Sequence, residues 1–382
     1  MTDHAQFPPS RRTARPSPLS GMGGIFLLAF ALLWTSLSPL QAAEREKVLL
    51  DTDMVECFDD GIAMTLLANA PNVELVGVTT LSGNSWVEQG TAYAIRQLEI
   101  EKATHVPVAQ GLQLPLRPQR HDLFGTERRL VGRGHDLWIG SFGFPRPTSW
   151  QTFYEQRYDR NPSFAPVDKH AVNFIIDTVR ANPGQITIAN IGPCGNLALA
   201  VRMAPDIVPL IKRVIYMGGA FFQQGNITPA AEFNWYFDPE AARIALRSPF
   251  REQIILGLDV CEKVVFRKEH YDRLIKTLGA SPMAELLNGT FVGQSFGKNP
   301  DFTHYVWDVL VSAVIIDPTL ITKEVTRFVD INDQWGLSYG QSLAYAEDAP
   351  AGAQKARIVL EVDEDRFWDM LNDPQYWRSI KK

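Results

Sequence analysis

Residues 47–67 read KVLLDTDMVECFDDGIAMTLL. The first seven residues are a branched apolar run that ends in carboxylates, which predicts a strand buried on both faces. The apolar residues after the second acidic pair predict a helix that begins close to the end of this strand. A strand that leads into a helix is the repeating unit of parallel α/β sheets, so we expect the same alternation further along the chain.

The strand-helix alternation recurs. Further predicted strands cover residues 73–81, 106–111, 186–192, 213–219, 253–260 and 356–363, and predicted helices cover residues 85–101, 167–181 and 238–247. The pattern predicts an α/β fold over residues 44–382: a single large domain with a mostly parallel, Rossmann-like central sheet flanked by helices. Residues 117–166 interrupt the pattern with Gly, Pro, Arg and aromatic residues, and we expect them to form a loop that is an active-site lid or an insertion.

Composition limits the classes of ligand. The chain has 382 residues, 45% of them hydrophobic, so it can bury a large core. Its formal net charge is −6 and its basic residues are scattered, which argues against nucleic acid or an anionic membrane as a partner. A small or neutral molecule fits better. The three cysteines, Cys57, Cys194 and Cys261, lack the spacing of a zinc site and are expected to be buried thiols.

The N-terminal segment differs from the rest. Three arginines between residues 11 and 15 precede an apolar stretch over residues 24–37, and two alanines follow at 42 and 43. The stretch is shorter than the ~20 residues of a membrane-spanning helix. We therefore predict a cleaved signal peptide over residues 1–43, export to the periplasm or medium, and no stable membrane insertion once the leader is removed. An uncleaved N-terminal anchor is the alternative.

Four carboxylates gather where the first predicted strand meets its helix. Asp59 and Asp60 could be helix caps, which aspartate often provides. That interpretation does not explain Asp51 and Asp53, because four like charges so close together repel one another unless a cation neutralises them. Oxygen ligands suit a hard cation, Ca²⁺ or Mg²⁺. Such an ion lowers the pKa of a bound water while a neighbouring carboxylate accepts its proton, so the cluster predicts hydrolytic chemistry.

A second interpretation uses the same residues. The segment from Asp51 to Val55 also fits the D-x-D-x-[TV] pattern of haloacid-dehalogenase-like phosphatases, in which the first aspartate is the nucleophile. That pattern is short. Such enzymes need a downstream lysine and a second aspartate pair, and no convincing set follows here.

Three further segments carry a family resemblance. Residues 78–84 read VTTLSGN, residues 217–220 read MGGA, and residues 225–234 read GNITPAAEFN and lead into DPEAA at 238–242. Together with the acidic cluster they resemble the inosine-uridine-preferring nucleoside hydrolase family from about residue 48 onward. The resemblance implies the nucleoside hydrolase fold, calcium-dependent cleavage of ribonucleosides to ribose and free base, and a homo-oligomer, either a dimer or a tetramer.

The resemblance also implies roles for single residues. Asp53, Asp60 and the late Asp308 match calcium ligands, and Ile191 matches a residue that contributes its backbone carbonyl. Asp59 matches the general base that takes a proton from the calcium-bound water. The side chains that match ribose-binding residues are Asn84, Asn226, Glu232 and Asn234. N-glycosidic cleavage passes through a cationic ribosyl transition state, which carboxylates and oriented amides stabilise.

Trp307 stands where many family members have a histidine that protonates the leaving base. An indole cannot donate that proton near neutral pH, but it can stack on a purine, which is worth ~1–3 kcal/mol. In this respect the chain resembles the purine-specific branch, so we expect a purine preference. Trp86, Trp138 and His135 are further candidates for lining the base pocket.

One loop departs from the family pattern. The signature places a glycine after the first calcium ligand and has a shorter spacing, whereas residues 54–58 intervene here. In a longer version found in one branch, Gly, Asn and Asp stand where this chain has Val55, Glu56 and Cys57. Because glycine reaches positive φ without strain and valine does not, we expect this loop to have a different conformation. Two alternatives stay open: a catalytically silent nucleoside-binding protein, and a hydrolase of another N-riboside.

Overall fold

A computed structural model of the protein describes residues 45–132 and 138–381, which form a single α/β domain. Its strands, in chain order, are β1 Glu46–Thr52, β2 Val73–Thr80, β3 Val108–Gln110, β4 Ile186–Asn190, β5 Arg213–Met217, β6 Gln253–Leu256, β7 Val265–Phe266, β8 His304–Tyr305, β9 Ile321–Ile331, β10 Ser342–Tyr345 and β11 Gln354–Val362. The predicted signal peptide over residues 1–43 lies outside the described residues.

The helices alternate with these strands. They are α1 Asp60–Asn69, α2 Val87–Ile100, α3 Arg120–Leu130, α4 Trp150–Tyr158, α5 Ala171–Ala181, α6 Gly195–Met203, α7 Phe233–Phe237, α8 Pro239–Arg247, α9 Leu258–Cys261, α10 Lys268–Leu278, α11 Pro282–Gly289, α12 Phe291–Lys298, α13 Trp307–Ile316 and α14 Glu364–Leu371. In the part of the chain that the structure describes, none of the helices is long and apolar enough to cross a membrane.

Nine strands form the central sheet, in the order β10-β9-β11-β6-β5-β4-β1-β2-β3. All neighbours from β11 to β3 run parallel, whereas β9 pairs antiparallel with both β11 and β10. From β1 the chain builds outward through β2 and β3, then returns to the other side of β1 with β4. The carboxyl ends of β1 and β4 therefore adjoin at a switch in strand order, where open α/β sheets bind their ligands.

The core lies on both faces of the sheet. Along β1, Leu50 packs into one hydrophobic cluster with α1, α2 and α13, and its neighbour Leu49 packs into another with α5, α6 and α8. Adjacent residues of a strand point to opposite faces, so a strand covered on both sides needs a continuous apolar run. The α/β prediction with its mostly parallel sheet is confirmed. All three cysteines are free and buried, as expected.

Several predicted boundaries were wrong. The strand predicted over 253–260 ends at Leu256, and the chain then turns into the short helix α9. Strands β9 and β10 were not predicted, because residues 322–324 of β9 are polar and exposed at this end of the sheet. Residues 117–166 are not a loop without secondary structure, since they contain α3 and α4. Gly and Pro residues lie before, between and after these helices, and Gly125 lies within α3, so they obscure the helical periodicity.

A buried acid at the end of α2 gives the fold a pH-dependent stability. Glu101 is 2% exposed and accepts a hydrogen bond from the Thr65 hydroxyl on α1. Burial raises the pKa of Glu101 from 4.5 to about 8. A raised pKa means that the folded state holds this proton more tightly, so its stabilising contribution is complete below about pH 4.5 and is lost as pH rises through 8.

We therefore expect Glu101→Gln to remove part of the pH dependence of unfolding. The free energy of unfolding of the unsubstituted protein should fall by about 4 kcal/mol more between pH 5 and pH 9 than that of the variant, because about three pH units separate pH 5 from the folded pKa of about 8. Urea denaturation at both pH values, in constant excess calcium, measures this difference. Equal changes in the two proteins would show that Glu101 is not protonated in the folded state.

Candidate active site

Four aspartates approach one another at the carboxyl end of the sheet, three of them from the stretch that joins β1 to α1 and one from α13. Asp53 follows β1, Asp59 and Asp60 stand at the start of α1, and Asp308 is the second residue of α13. Carboxylate oxygens of Asp59, Asp60 and Asp308 lie within 4.8 Å of one another, and all four residues are buried. The structure thus brings together the acidic residues that the sequence analysis assigned to one site.

The two aspartates at the start of α1 do not cap it. Asp59 occupies the N-cap position, yet its side chain makes no capping hydrogen bond. Instead, Asp59 Oδ2 accepts a hydrogen bond from the backbone N–H of Asp308 at 2.9 Å. Asp60 accepts from the Thr52 hydroxyl at 2.5 Å and from the Val55 N–H at 3.2 Å. The capping interpretation of this pair is therefore wrong, and its carboxylates belong to the acidic cluster.

Two glycines allow the backbone to close around Asp53. A β-carbon on Gly83 would lie 2.2 Å from Asp53 Oδ2, and one on Gly192 would lie 2.8 Å from Asp53 Oδ1. Either would force the carboxylate to move. Asp53 Oδ2 accepts the N–H of Asn84 at 2.6 Å, whereas Asp53 Oδ1 is buried without a hydrogen-bond partner. Asp308 Oδ1 is buried and unpartnered as well.

The electrostatics of the cluster favour a cation. Burial, followed by repulsion from Asp60, raises the pKa of Asp53 well above its usual value. Burial and then Asp59 do the same to Asp308, and they raise the pKa of Asp60 to about 7. Buried carboxylate oxygens that accept no hydrogen bond destabilise the folded protein unless a nearby positive charge compensates them. Asp53 Oδ1 and Asp308 Oδ1 are therefore the atoms that a hard cation would use, and the donor set fits Ca²⁺ or Mg²⁺.

Ile191 and Asn234 meet beside the acids. Ile191 follows β4, and its carbonyl oxygen accepts a hydrogen bond from Asn234 Nδ2 at 2.9 Å. The same amide nitrogen donates to the Met217 carbonyl, while Asn234 Oδ1 is buried without a partner. A carbonyl oxygen has two lone pairs, so this bond leaves one for an ion.

Glu232 is the cap of the helix that carries Asn234. Its carboxylate accepts the N–H groups of Gly219, Asn234 and Trp235 at 2.7 to 3.2 Å. Burial raises the pKa of Glu232 to about 7. Burial and then repulsion from Asp59, Asp60 and Asp53 raise the pKa of Asp308, and repulsion from Glu232 adds to them.

Asn226 and Asn84 are each held by a hydrogen bond to the side-chain oxygen. Asn226 Oδ1 accepts from the N–H of Phe233 at 3.0 Å. Asn84 Oδ1 accepts from the indole N–H of Trp138 at 3.0 Å. The segment that contains α3 and α4 therefore reaches the ribose-binding candidates.

The other aromatic candidates lie in different surroundings. Trp86 is buried and its indole donates to the Phe144 carbonyl at 2.9 Å, so it anchors that segment. Trp307 is half-buried, its ring is edge-on to His304 with 5.0 Å between centroids, and its indole N–H has no partner. His135 lies outside the described residues.

Asp51 plays a different part from the other three acids of its segment. Its oxygens accept hydrogen bonds from Thr79 at 2.7 Å, Asn196 at 2.8 Å and Asn190 at 3.0 Å. A buried carboxylate whose oxygens are held by residues at the ends of β2 and β4 and at the start of α6 is not placed for nucleophilic attack. The phosphatase alternative therefore receives no support from this geometry.

Sequence reasoning missed the partners of the loop over residues 54–58. The positive φ of this loop falls at Cys57, at 67°, and not at Val55. Glu56 accepts hydrogen bonds from Arg157 at 2.5 Å and from Tyr158 at 2.7 Å, both on α4. No local pattern signals these contacts, because the partners are 101 and 102 residues away in the chain.

Comparison with known proteins agrees with this geometry. The model of the family described as inosine-uridine preferring nucleoside hydrolase matches residues 48–369. The chain belongs to that family. A pyrimidine-specific ribonucleoside hydrolase, RihB of Escherichia coli, is 30% identical over 347 residues, which cover 86% of this chain and 97% of that protein. The nucleoside hydrolase family resemblance seen in the sequence is thereby confirmed.

Solved structures of nucleoside hydrolases share the fold. A plant nucleoside hydrolase, PpNRh1, superposes with a TM-score of 0.66 at 25% identity, covering 86% of this chain and 98% of that one. A purine-preferring ribonucleoside hydrolase from Gardnerella vaginalis gives a TM-score of 0.69 at 22% identity, covering 88% and 99%. As a nucleoside hydrolase, the chain is an N-glycosyl hydrolase that acts on ribonucleosides.

Proposed function

We propose that this nucleoside hydrolase cleaves ribonucleosides with a calcium-bound water, using Asp59 as the general base. The observation that carries the proposal is the meeting of Asp59, Asp60 and Asp308 oxygens within 4.8 Å beside unpartnered oxygens of Asp53 and Asp308. Asp53, Asp60, Asp308 and the carbonyl of Ile191 would hold the ion. Calcium bound there would supply a water with a lowered pKa and a contact for ribose hydroxyls.

The donor set favours calcium over magnesium. All the proposed ligands are oxygens, one of them a backbone carbonyl, and they come from three separate segments. Calcium accepts six to eight oxygen ligands in irregular arrangements, whereas magnesium demands a near-ideal octahedron. The family resemblance implies calcium as well.

Asp59 has the features of a proton acceptor. The N–H of Asp308 holds one of its oxygens, which fixes the carboxylate beside the proposed ligands. Burial raises the pKa of Asp59, which makes it a stronger base than an exposed aspartate. In the proposed reaction Asp59 takes the proton of the water whose oxygen forms the new bond to the ribose C1′ as the bond to the base breaks. The electron pair of that bond leaves with the base.

The ribose would lie over the four polar candidates. Asn84, Asn226, Glu232 and Asn234 are fixed by hydrogen bonds to backbone or indole groups, so they are preorganised. Fixed carboxylates and amide oxygens stabilise the positive charge that develops on the sugar more than they stabilise the neutral substrate. The buried, unpartnered Asn234 Oδ1 supports this role.

We propose a purine preference, with Trp307 stacking on the base. Trp307 is half-buried and is the residue directly before Asp308 on α13, so it lies next to the acidic cluster. Pyrimidine preference is the second candidate, because the Escherichia coli relative at 30% identity is named pyrimidine-specific. The two proposals differ in the leaving base and share the rest of the site.

A ribose-release assay tests the proposed function. We expect the protein without its leader to release ribose from inosine, adenosine and guanosine about 10-fold faster in kcat/KM than from uridine and cytidine, which corresponds to a difference of about 1.4 kcal/mol in favour of the larger purine ring on Trp307. A chelator should abolish the activity, and added calcium should restore it.

Two controls separate the alternatives. Trp307→Ala should lower kcat/KM for purines more than for pyrimidines if the ring stacks on the base. Faster release from uridine than from inosine would instead establish the pyrimidine candidate. Binding of nucleosides without ribose release would identify a silent binder, and release that survives the chelator would contradict the metal mechanism.

We also propose export of the protein. The support is the arrangement of arginines, apolar residues and alanines within residues 1–43. A homo-oligomer stays a prediction from the family resemblance.

A further inference from the structure

We propose that α4 positions the calcium-binding loop through Glu56. The loop, residues 54–58, joins Asp53 to Asp59, so its shape sets the distance between the two halves of the acidic cluster. Glu56 would act as a positioning residue that contacts neither the ion nor the substrate. This inference rests on the proposed function, because it concerns the site at which calcium would bind.

The side chain of Glu56 is held at both oxygens. Oε2 accepts a hydrogen bond from Arg157 Nη2 at 2.5 Å, and Oε1 accepts from the Tyr158 hydroxyl at 2.7 Å. The Glu56 side chain is 14% exposed, whereas that of Arg157 is 50% exposed. Water and salt screen an exposed ion pair, so the hydrogen bond from Tyr158 is the more dependable of the two.

Tyr158 remains a donor over the whole working pH range. Burial, followed by the charge of Glu56, raises the pKa of the Tyr158 hydroxyl above its usual value. Tyr93 of α2 lies in the same surroundings, and burial and then Glu56 raise its pKa to about 12. The carboxylate is therefore surrounded by groups that keep their protons.

The loop needs such support from outside. Cys57 has a φ of 67°, a left-handed conformation that a β-carbon disfavours, so it persists only where the surroundings hold it. The loop is bonded to the site at both ends of the turn: Val55 N–H donates to Asp60 Oδ2 at 3.2 Å, and the Ile62 N–H donates to the Cys57 carbonyl at 2.8 Å. A shift of Glu56 would therefore move a donor away from Asp60, a proposed calcium ligand.

Helix α4 is itself firmly attached to the domain. The Tyr154 ring is buried, and its hydroxyl donates to Glu99 on α2. Phe153 packs edge-on against Tyr93 of α2 with 5.4 Å between ring centroids. The Ser149 side chain caps the helix by accepting the Thr152 N–H at 3.0 Å. A helix fixed in this way can hold a loop in one position.

The contact between Glu56 and α4 joins two unusual parts of the chain, the loop that differs from the family pattern and the segment that interrupts the strand-helix alternation. The loop has Glu56 and Cys57 where the related pattern has Asn and Asp, and α4 belongs to the interrupting segment, residues 117–166, between β3 and β4. Helix α4 supplies the partners that the altered loop uses. Residues that hold metal ligands in place without contacting the metal commonly lower the metal affinity by about 10- to 100-fold when they are removed.

Calcium affinity is the measurement that tests the inference. We expect Glu56→Gln to raise the calcium Kd, measured by isothermal titration calorimetry, by about 10-fold or more. Tyr158→Phe should raise it as well. The calcium Kd of the double variant should be little higher than that of Glu56→Gln alone, because the two residues act through one contact. At saturating calcium, kcat should stay within about 3-fold of the unsubstituted enzyme, since neither residue touches the reacting atoms.

A matched control lies on the same helix. Glu155→Gln makes the same chemical change at a residue whose carboxylate accepts from Gln151 at the surface, and it should leave the calcium Kd unchanged. An unchanged calcium Kd in both Glu56→Gln and Tyr158→Phe, in a protein that binds calcium, would overturn the positioning role alone. Absence of calcium binding by the unsubstituted protein would instead refute the proposed function.

Discussion

Asp59→Asn is expected to lower kcat for nucleoside hydrolysis by about 10²- to 10⁴-fold, the range typical of a lost general base. The amide oxygen can still accept the N–H of Asp308, which Asp59 Oδ2 accepts at 2.9 Å, so the local geometry should survive. The substitution also removes one of several buried like charges and should not lower thermal stability. Single-turnover ribose release in excess calcium measures the chemical step directly.

Retained calcium binding is the control for this variant. Calorimetry should give a calcium Kd within a few-fold of the unsubstituted protein, because Asp59 is proposed as the base and not as a ligand. If Asp59→Asn keeps more than about a tenth of the activity, the general base lies elsewhere. If it loses calcium as well, Asp59 is a ligand and its proposed role is wrong.

Asp308→Asn is expected to have the second large effect, which is a loss of calcium affinity. That affinity depends on the number of charged ligands, so we expect the calcium Kd to rise on the order of 100-fold or more. Activity at low calcium should fall as a result. The effect has a clear cause in the structure, because Asp308 Oδ1 is buried, lacks any donor, and lies in a cluster that raises its pKa.

Another residue at the far end of α13 provides the matched control. Asp317→Asn makes the same change at the C-terminus of that helix, where the carboxylate accepts from Thr319 and Arg366. Calcium affinity should be unchanged in this variant. A calcium Kd for Asp308→Asn equal to that of the unsubstituted protein would remove the late ligand from the proposed site, and with it the reason for the convergence of α13 on α1.

The parallel part of the sheet was predictable because it depends on local chemistry. Buried parallel strands must be covered by apolar residues on both faces, and β1, β4 and β5 each contain a short run of mostly apolar residues that is rich in Val, Ile and Leu. Strand β9 was missed because polar residues interrupt its outer half, and α3 and α4 were missed because glycines and prolines surround them. In these segments, contacts with the rest of the domain outweigh the local pattern.

By itself, the sequence determined that acidic residues follow the first strand and that strands and helices alternate, since both features are expressed within a few neighbouring residues. The family resemblance assigned the distant Asp308 to the same site, but only the tertiary structure decided which atoms of distant residues form hydrogen bonds with those acids and with the loop between them. The N–H of Asp308 bonds to Asp59 across 249 positions of the chain, and Tyr158 reaches Glu56 across 102. Such contacts depend on how whole helices pack against the sheet, and no local spacing of residues encodes that packing.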